Sequence, residues 1–209
     1  MYIIYFFGPD GSGKTTQATL LSNQLKKNGL RTRFVWMRGS HTFASILLRF
    51  LSKLDRYKGN VNPYYNVNIP KNMARLCWFL EYISAIPVIL LRFVLPSLFG
   101  YVVIADRYVL DLVVWISIVT REPSFRRSFF ARHLISLARR TKAKFFVMAD
   151  LSELARRSGE EIKVLKNQLD LYSSLRMDAH ALNTTSKSPR TTFQEVLNTL
   201  DNKGFRCHR

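Results

Sequence analysis

Carboxylates are the scarcest functional class in this chain. Of 209 residues only 14 are Asp or Glu, against 32 Lys and Arg, and before Asp111 the only acids are Asp10, Asp55, Glu81 and Asp106. The formal charge of +18 and the pI near 10.4 suit an anionic partner, whether nucleic acid, anionic lipid or phosphorylated small molecules. The excess is spread along the chain, which excludes a simple basic tail. Cysteine is almost missing. Cys77 and Cys207 lie far apart, which excludes a disulfide framework and a cysteine metal site and points to a reduced, cytoplasmic protein. His41, His133, His180 and His208 make no ligand set, and no Ser/His/Asp arrangement is legible.

Long apolar runs are also lacking. The stretch 78–99 (WFLEYISAIPVILLRFVLPSLF) is broken by Glu81, Pro87, Arg92 and Pro96. Its longest uncharged run, 82–91, falls short of the roughly 20 residues a spanning helix needs. A buried core helix kinked at Pro87 is expected there, with no membrane span. The apolar opening 2–7 is too short for a signal peptide and runs straight into glycines. No repeat or linker is visible, so residues 1–209 read as one domain. Apolar residues at 47% and charged residues at 22% are ordinary globular usage.

What is there alternates. Buried strands are expected at 2–7, 33–37, 101–105, 144–148 and 179–183, with helices at 15–27, 42–54, 72–98, 110–120, 124–140, 152–157, 160–177 and 191–200. Residues 56–72 read as a polar loop. Such alternation predicts an α/β protein with a parallel five-stranded sheet and helices on both faces.

Between the first strand and the first helix lies Gly8-Pro9-Asp10-Gly11-Ser12-Gly13-Lys14-Thr15, a complete G-x-x-x-x-G-K-[ST] phosphate loop. Gly8, Gly11 and Gly13 let backbone N–H groups of Ser12, Lys14, Thr15 and Thr16 turn onto phosphate oxygens at a helix N-terminus. Lys14 would reach the β and γ phosphates, and Thr15 would ligate Mg²⁺. The motif predicts a three-layer P-loop NTPase fold that binds ATP.

Other signals are weaker. Asp106-Arg107-Tyr108 follows a central strand directly, where ligands of such sheets bind, although a capping Asp with a solvent-facing Arg gives the same letters. Asp10 is either a turn former or a partner for a sugar hydroxyl. Arg156 and Arg157 precede Gly159 and suit either a lid over transferring phosphates or a solvated helix end. Residues 121–144 carry a basic run with a single acid, which reads as a solvated face.

Taken together, the loop extended through Thr16-Gln17 and the later Asp106-Arg107-Tyr108 resemble the thymidylate kinase family, with its G-x-D-G-[AS]-G-K-T-T-Q loop and DR[YFH] motif. Arg38 and Arg49 look like the two arginines after that family's second strand. Residues 95–107 are similar to its P-A-L…V-I-x-D-R segment, and 150–157 to the P-E-x-A-x-x-R stretch leading into its lid, here about 156–162. Arg190 falls at its adenine-side loop. The resemblance implies a nucleoside monophosphate kinase that uses ATP and Mg²⁺ to phosphorylate dTMP. Asp10 would meet the sugar 3′-hydroxyl, and Arg107 would bridge donor and acceptor phosphates. Arg156 or Arg157 would act from the lid, and Asp106 at the metal. Arg38, Arg49, Phe79, Tyr82 and Tyr108 would line the acceptor side.

The chain also departs from that pattern. The family's third helix reads L-L-F-x-A-x-R, and its Arg reads thymine. Here 76–82 (LCWFLEY) places Tyr82 at that position, or Ile86 if the register runs from Pro96. The base-reading Arg is absent either way. Two other readings stand beside dTMP kinase: a P-loop phosphotransferase with another acceptor, and a nucleotide-dependent protein binding nucleic acid, which is disfavoured. The apolar helices suit a homodimer interface.

Overall fold

The chain is described here by a computed structural model covering residues 2–39, 42–62, 65–175 and 177–205. His41, Cys207 and His208, singled out above, lie outside the described residues.

Strand β1 (Ile3–Phe7) is followed by helix α1 (Lys14–Lys27), β2 (Thr32–Trp36), α2 (Thr42–Leu51), a short β3 (Lys58–Asn62) and α3 (Ala74–Ile89). Then come α4 (Leu95–Leu98), β4 (Val102–Asp106), α5 (Val109–Val119), α6 (Phe129–Arg139) and β5 (Ala143–Met148). The chain ends with α7 (Leu151–Ser158), α8 (Ile162–Ser174), β6 (His180–Asn183) and α9 (Pro189–Asn202). Five strands form one sheet in the order β2-β4-β1-β5-β6, every pairing parallel.

Burial explains the apolar runs. The inner strands β1 and β4 are buried at every position, whereas the edge strands β2 and β6 each bury one residue. Along β1 the side chains alternate between two cores. Ile3, Tyr5 and Phe7 join Val103 and Ala105 against α3, α5 and α6. Ile4 and Phe6 join Ile104 and Phe145 against α1 and α9. A third cluster, Ala149, Leu154 and Leu165, is the private core of the α7–α8 pair.

Two expectations need correction. The expected loop at 56–72 is not plain, because it contains β3, whose Lys58 and Asn62 bridge antiparallel to Val67. The 72–98 segment is not a buried core helix. It is α3, a π-helical turn (Leu90–Val94) and α4, with the irregularity between Pro87 and Pro96, neither of which can donate to the i→i−4 ladder. Its inner stripe (Cys77, Glu81, Ser84, Ala85, Ile89) is buried, yet only 28% of its most apolar window is covered. By length and composition alone Lys71–Leu98 is apolar enough to cross a membrane.

Candidate active site at the phosphate loop

The turn between β1 and α1 is set by backbone more than by side chains. A Cβ on Gly8 would collide with the Val147 carbonyl, and φ there is +142°. A Cβ on Gly11 would lie 2.7 Å from the Leu154 carbonyl oxygen, so α7 roofs the loop at contact distance. The loop opens into a pocket of about 490 Å³ lined by Asp10, Lys14, Thr15, Thr16, Arg107 and Arg157, among others.

Lys14 Nζ donates to the Pro9 carbonyl and to Ser12 Oγ at 3.2 Å. Burial, reinforced by the Arg107 charge, pulls its pKa down to about 7. Thr15 Oγ1 donates to Asp106 Oδ2 at 2.7 Å, while Asp106 Oδ1 is buried with no hydrogen-bond partner among the described residues. Two hard oxygens and one orphaned lone pair at a phosphate loop fit Mg²⁺, which keeps waters and phosphate oxygens for its remaining positions. Among the described residues no group of three His, Cys, Asp or Glu side chains could hold a metal alone.

Arg107 has φ +71°, a left-handed backbone that few non-glycine residues adopt. Its N–H donates to the Phe6 carbonyl at 3.1 Å, and its guanidinium pairs with Asp10 and, at 3.3 Å, with Asp111. Asp10 also takes Arg38 Nη2 at 2.9 Å, and its own N–H donates to Gln168 Oε1 at 3.1 Å. Burial alone would raise the Asp10 pKa, but Arg107 and Arg38 hold it down at about 2. Arg38 lies over the Trp115 ring, 5.0 Å from its centroid.

Asp111 is the group that sequence reasoning missed. It is fully buried and accepts from Tyr172 Oη at 2.7 Å, Tyr5 Oη at 3.2 Å and the Tyr108 N–H at 3.1 Å, besides Arg107. Burial raises its pKa against the pull of Arg107. The signal was its i+4 spacing from Arg107, which reads equally as an N-terminal helix acid.

No family profile matches the chain, and no curated protein sequence does. Among solved structures, thymidylate kinase from Candida albicans aligns over 98% of this chain and 92% of that one, with TM-score 0.67 and 16% identity. The fold is that of thymidylate kinase.

Within the thymidylate kinase fold, the expected residues divide. Gly11, Gly13, Lys14, Thr15, Thr16, Asp10, Arg107 and Arg157 share the pocket wall, Ser12 is buried beneath it, and Asp106 meets Thr15 there. The two arginines expected in a lid separate. Arg156 is exposed and pairs with Glu153 at 2.7 Å, while Arg157 reaches Thr184 Oγ1 at 3.0 Å and Glu153 at 2.7 Å. Arg190 is exposed on α9 and outside the wall, to which Lys187, Pro189 and Thr192 contribute instead. Gln17, unremarked in the sequence beyond the motif, donates to the Pro189 carbonyl at 3.0 Å and ties the loop to α9.

Four acceptor-side expectations change place. Tyr108 is a core residue, fully buried with its ring 4.5 Å from that of Phe93. Phe79 and Tyr82 turn toward α6: both rings meet Phe130, and Tyr82 Oη lies 2.8 Å from His133 Nδ1. The reason is helical phase, because Cys77, Glu81 and Ser84 occupy the inner stripe of α3. Arg49 is exposed in the last turn of α2 and lies outside the pocket wall.

Proposed function

We propose that this protein is an ATP-dependent nucleoside monophosphate kinase that phosphorylates dTMP or a related pyrimidine nucleotide. The observation that carries the reading is that Asp10, Lys14, Thr15 and Arg107 line one pocket, with Asp106 hydrogen-bonded to Thr15 and Arg38 paired with Asp10. In such a reaction an acceptor phosphate oxygen attacks the γ-phosphorus and the bond to the β-phosphate oxygen breaks. The protein is asked for little covalent chemistry, so positioning and charge neutralisation carry the rate. Lys14 holds positive charge at the loop. Arg107, fixed by Asp111 behind it, stands between donor and acceptor sides. Asp10 and Arg38 position the acceptor, and Arg157 reaches in from α7 as the lid residue. Mg²⁺, held through Thr15 and Asp106, would neutralise charge on the donor phosphates. A buried, unpaired thiol at Cys77, its pKa pushed up to about 12 by burial and by Glu81, suits a reducing cytoplasm.

The base is less constrained than the phosphate. With Phe79 and Tyr82 facing α6, no aromatic side chain among the described residues lines the phosphate-loop pocket. Relaxed discrimination among pyrimidine monophosphates is therefore expected, and the Candida albicans enzyme has a broad substrate specificity of its own. The same observation favours, as a second reading, a kinase on this fold with a different acceptor. The deciding experiment is kcat/KM for dTMP, dUMP, UMP, dCMP and CMP at fixed ATP and Mg²⁺. Turnover of several within about a hundredfold supports the proposal, since a pocket lacking a hydrogen-bonding reader discriminates weakly. A dTMP preference above about a thousandfold would show that another residue reads the base. No turnover of any nucleotide would leave the second reading.

A further inference from the structure

Four arginines outside the phosphate-loop pocket converge on a cavity of their own. At the phosphate loop, Lys14, Arg38, Arg107 and Arg157 meet carboxylates or loop oxygens. Arg126 and Arg127, in the 3-10 turn before α6, and Arg132 and Arg139 on α6 have no ion-pair partner among the described residues. Together they line a cavity of about 610 Å³, a volume within the range of small-molecule sites. No described residue belongs to both this wall and that of the phosphate-loop pocket.

Helical phase builds the cavity. Ala131, Leu134 and Ala138 form the buried stripe of α6. Phe130 and His133 lie to one side of that stripe and meet Tyr82 of α3. Arg132, Ile135 and Arg139, spaced i, i+3 and i+7, share the flank on its other side. The arginine flank is therefore turned away from α3. It faces the end of α8, where Ser174 and Leu175 close the wall. The turn before α6 adds Arg126, half-buried, and Arg127, exposed.

The wall selects its occupant by charge. A basic run that only meets solvent spreads its charges over a convex surface, whereas these four share one concavity. No carboxylate among the described residues lines it, while the phosphate-loop pocket carries Asp10 in its wall. The C-terminus of α8 supplies about half an elementary negative charge, against four guanidinium groups. Guanidinium forks match phosphate oxygens bidentately, and several together suit linked phosphates better than a lone carboxylate. The rest of the wall is Ser174 and the aliphatic Ile135 and Leu175, with no aromatic platform for the bases of a single strand. Phe129, although exposed on the same helix, does not line it. We propose that this cavity is a second anion site, which binds the polyphosphate chain of a small molecule, either a nucleoside polyphosphate or inorganic polyphosphate.

The test is isothermal titration of the full-length chain with sodium tripolyphosphate, without Mg²⁺ or acceptor. Two binding events are expected, one at the phosphate loop and one at the arginine cavity. Arg132→Gln with Arg139→Gln should weaken the second by about a hundredfold, since each charge-assisted contact is worth about tenfold. The first event should remain, and melting temperature should hold, because both side chains are exposed. Lys14→Ala should weaken the first event and leave the second. Arg140→Gln, exposed on the same helix end but outside the wall, should change neither. The proposal is overturned if no event depends on Arg132 and Arg139. It is also overturned if Arg140→Gln costs as much as Arg139→Gln, which would mark diffuse attraction to a highly cationic chain. A missing phosphate-loop event would count against the kinase reading alone. Titration with ATP separates the two sources. Tighter binding than tripolyphosphate at the second site assigns it to a nucleoside polyphosphate, and equal or weaker binding assigns it to the inorganic chain. Arginine-dependent binding of a short single-stranded oligonucleotide, tighter than either, would overturn the proposal in favour of a nucleic-acid backbone.

Discussion

The donor and acceptor sides of the proposed cleft are positioned by different means. On the donor side the phosphate loop is fixed largely by backbone: glycines at positive φ and strands β1 and β4 paired in register, with side-chain contacts from Thr15 to Asp106 and from Gln17 to the Pro189 carbonyl. On the acceptor side the reading groups would have to come from α2 and α3, and there orientation depends on which stripe of each helix the core takes. The first arrangement follows from local sequence, since a loop, a strand and a helix N-terminus suffice to make it. The second is a tertiary decision, and here the core took the stripe with Cys77, Glu81 and Ser84 and left Phe79 and Tyr82 to α6.

The sharpest way to break this contrast is at Lys14. Lys14→Ala should lower kcat by about 10³-fold through loss of fixed positive charge at the donor phosphates. Fold and melting temperature should hold, because burial already disfavours the charged Lys14. Activity within tenfold of the parent would remove the donor site from this loop. Next comes the pair on α7. Arg157→Ala should cost about a hundredfold in kcat, and Arg156→Ala less than about threefold, since only a donor aimed at the transferring group stabilises its transition state. Equal losses would mean that Arg156 leaves Glu153 when substrate binds.

Asp10 offers a pH-dependent test of the network joining the two sides. Its folded pKa of about 2 lies below the ordinary 3.8, so its ionised form stabilises the fold above that ordinary value. The contribution fades as pH falls from about 4 to about 2. Asp10→Asn should therefore cost about 2 kcal/mol near neutrality, and its stability should converge with the parent near pH 2, as read by denaturant unfolding. A constant difference across that range would assign the loss to packing.

How much was legible follows the same division. The strands that bind the site, the phosphate loop and Asp106-Arg107 stood in the sequence because each rests on contiguous residues. Asp111 did not, since its partners Tyr5 and Tyr172 come from β1 and α8, far away in the chain. The facing of α3 was hidden for another reason. It is apolar on all sides, so its period marks no inner stripe, and the structure buries Glu81 and Ser84 while exposing Leu76 and Phe79. The cavity of Arg126, Arg127, Arg132 and Arg139 appeared in sequence only as a basic run.

The smallest effect is expected at Tyr82, where the comparison can be tested most finely. Its hydroxyl lies 2.8 Å from His133 Nδ1, and its ring centroid is 5.1 Å from that of Phe130, both on α6. Tyr82→Phe removes one half-buried hydrogen bond and should lower stability by about 1 kcal/mol. KM for dTMP and dUMP should stay within about twofold of the parent, because uniform binding is untouched where no contact is lost. If Tyr82 instead reads a base, the ratio of kcat/KM for dTMP to that for dCMP should move by more than about tenfold. Stability would then hardly change, since the hydroxyl would have no partner on α6 to lose. The two measurements move independently. A melting shift alone keeps α3 packed on α6 as described, whereas a specificity shift alone would require the helix to turn toward the cleft when the acceptor binds.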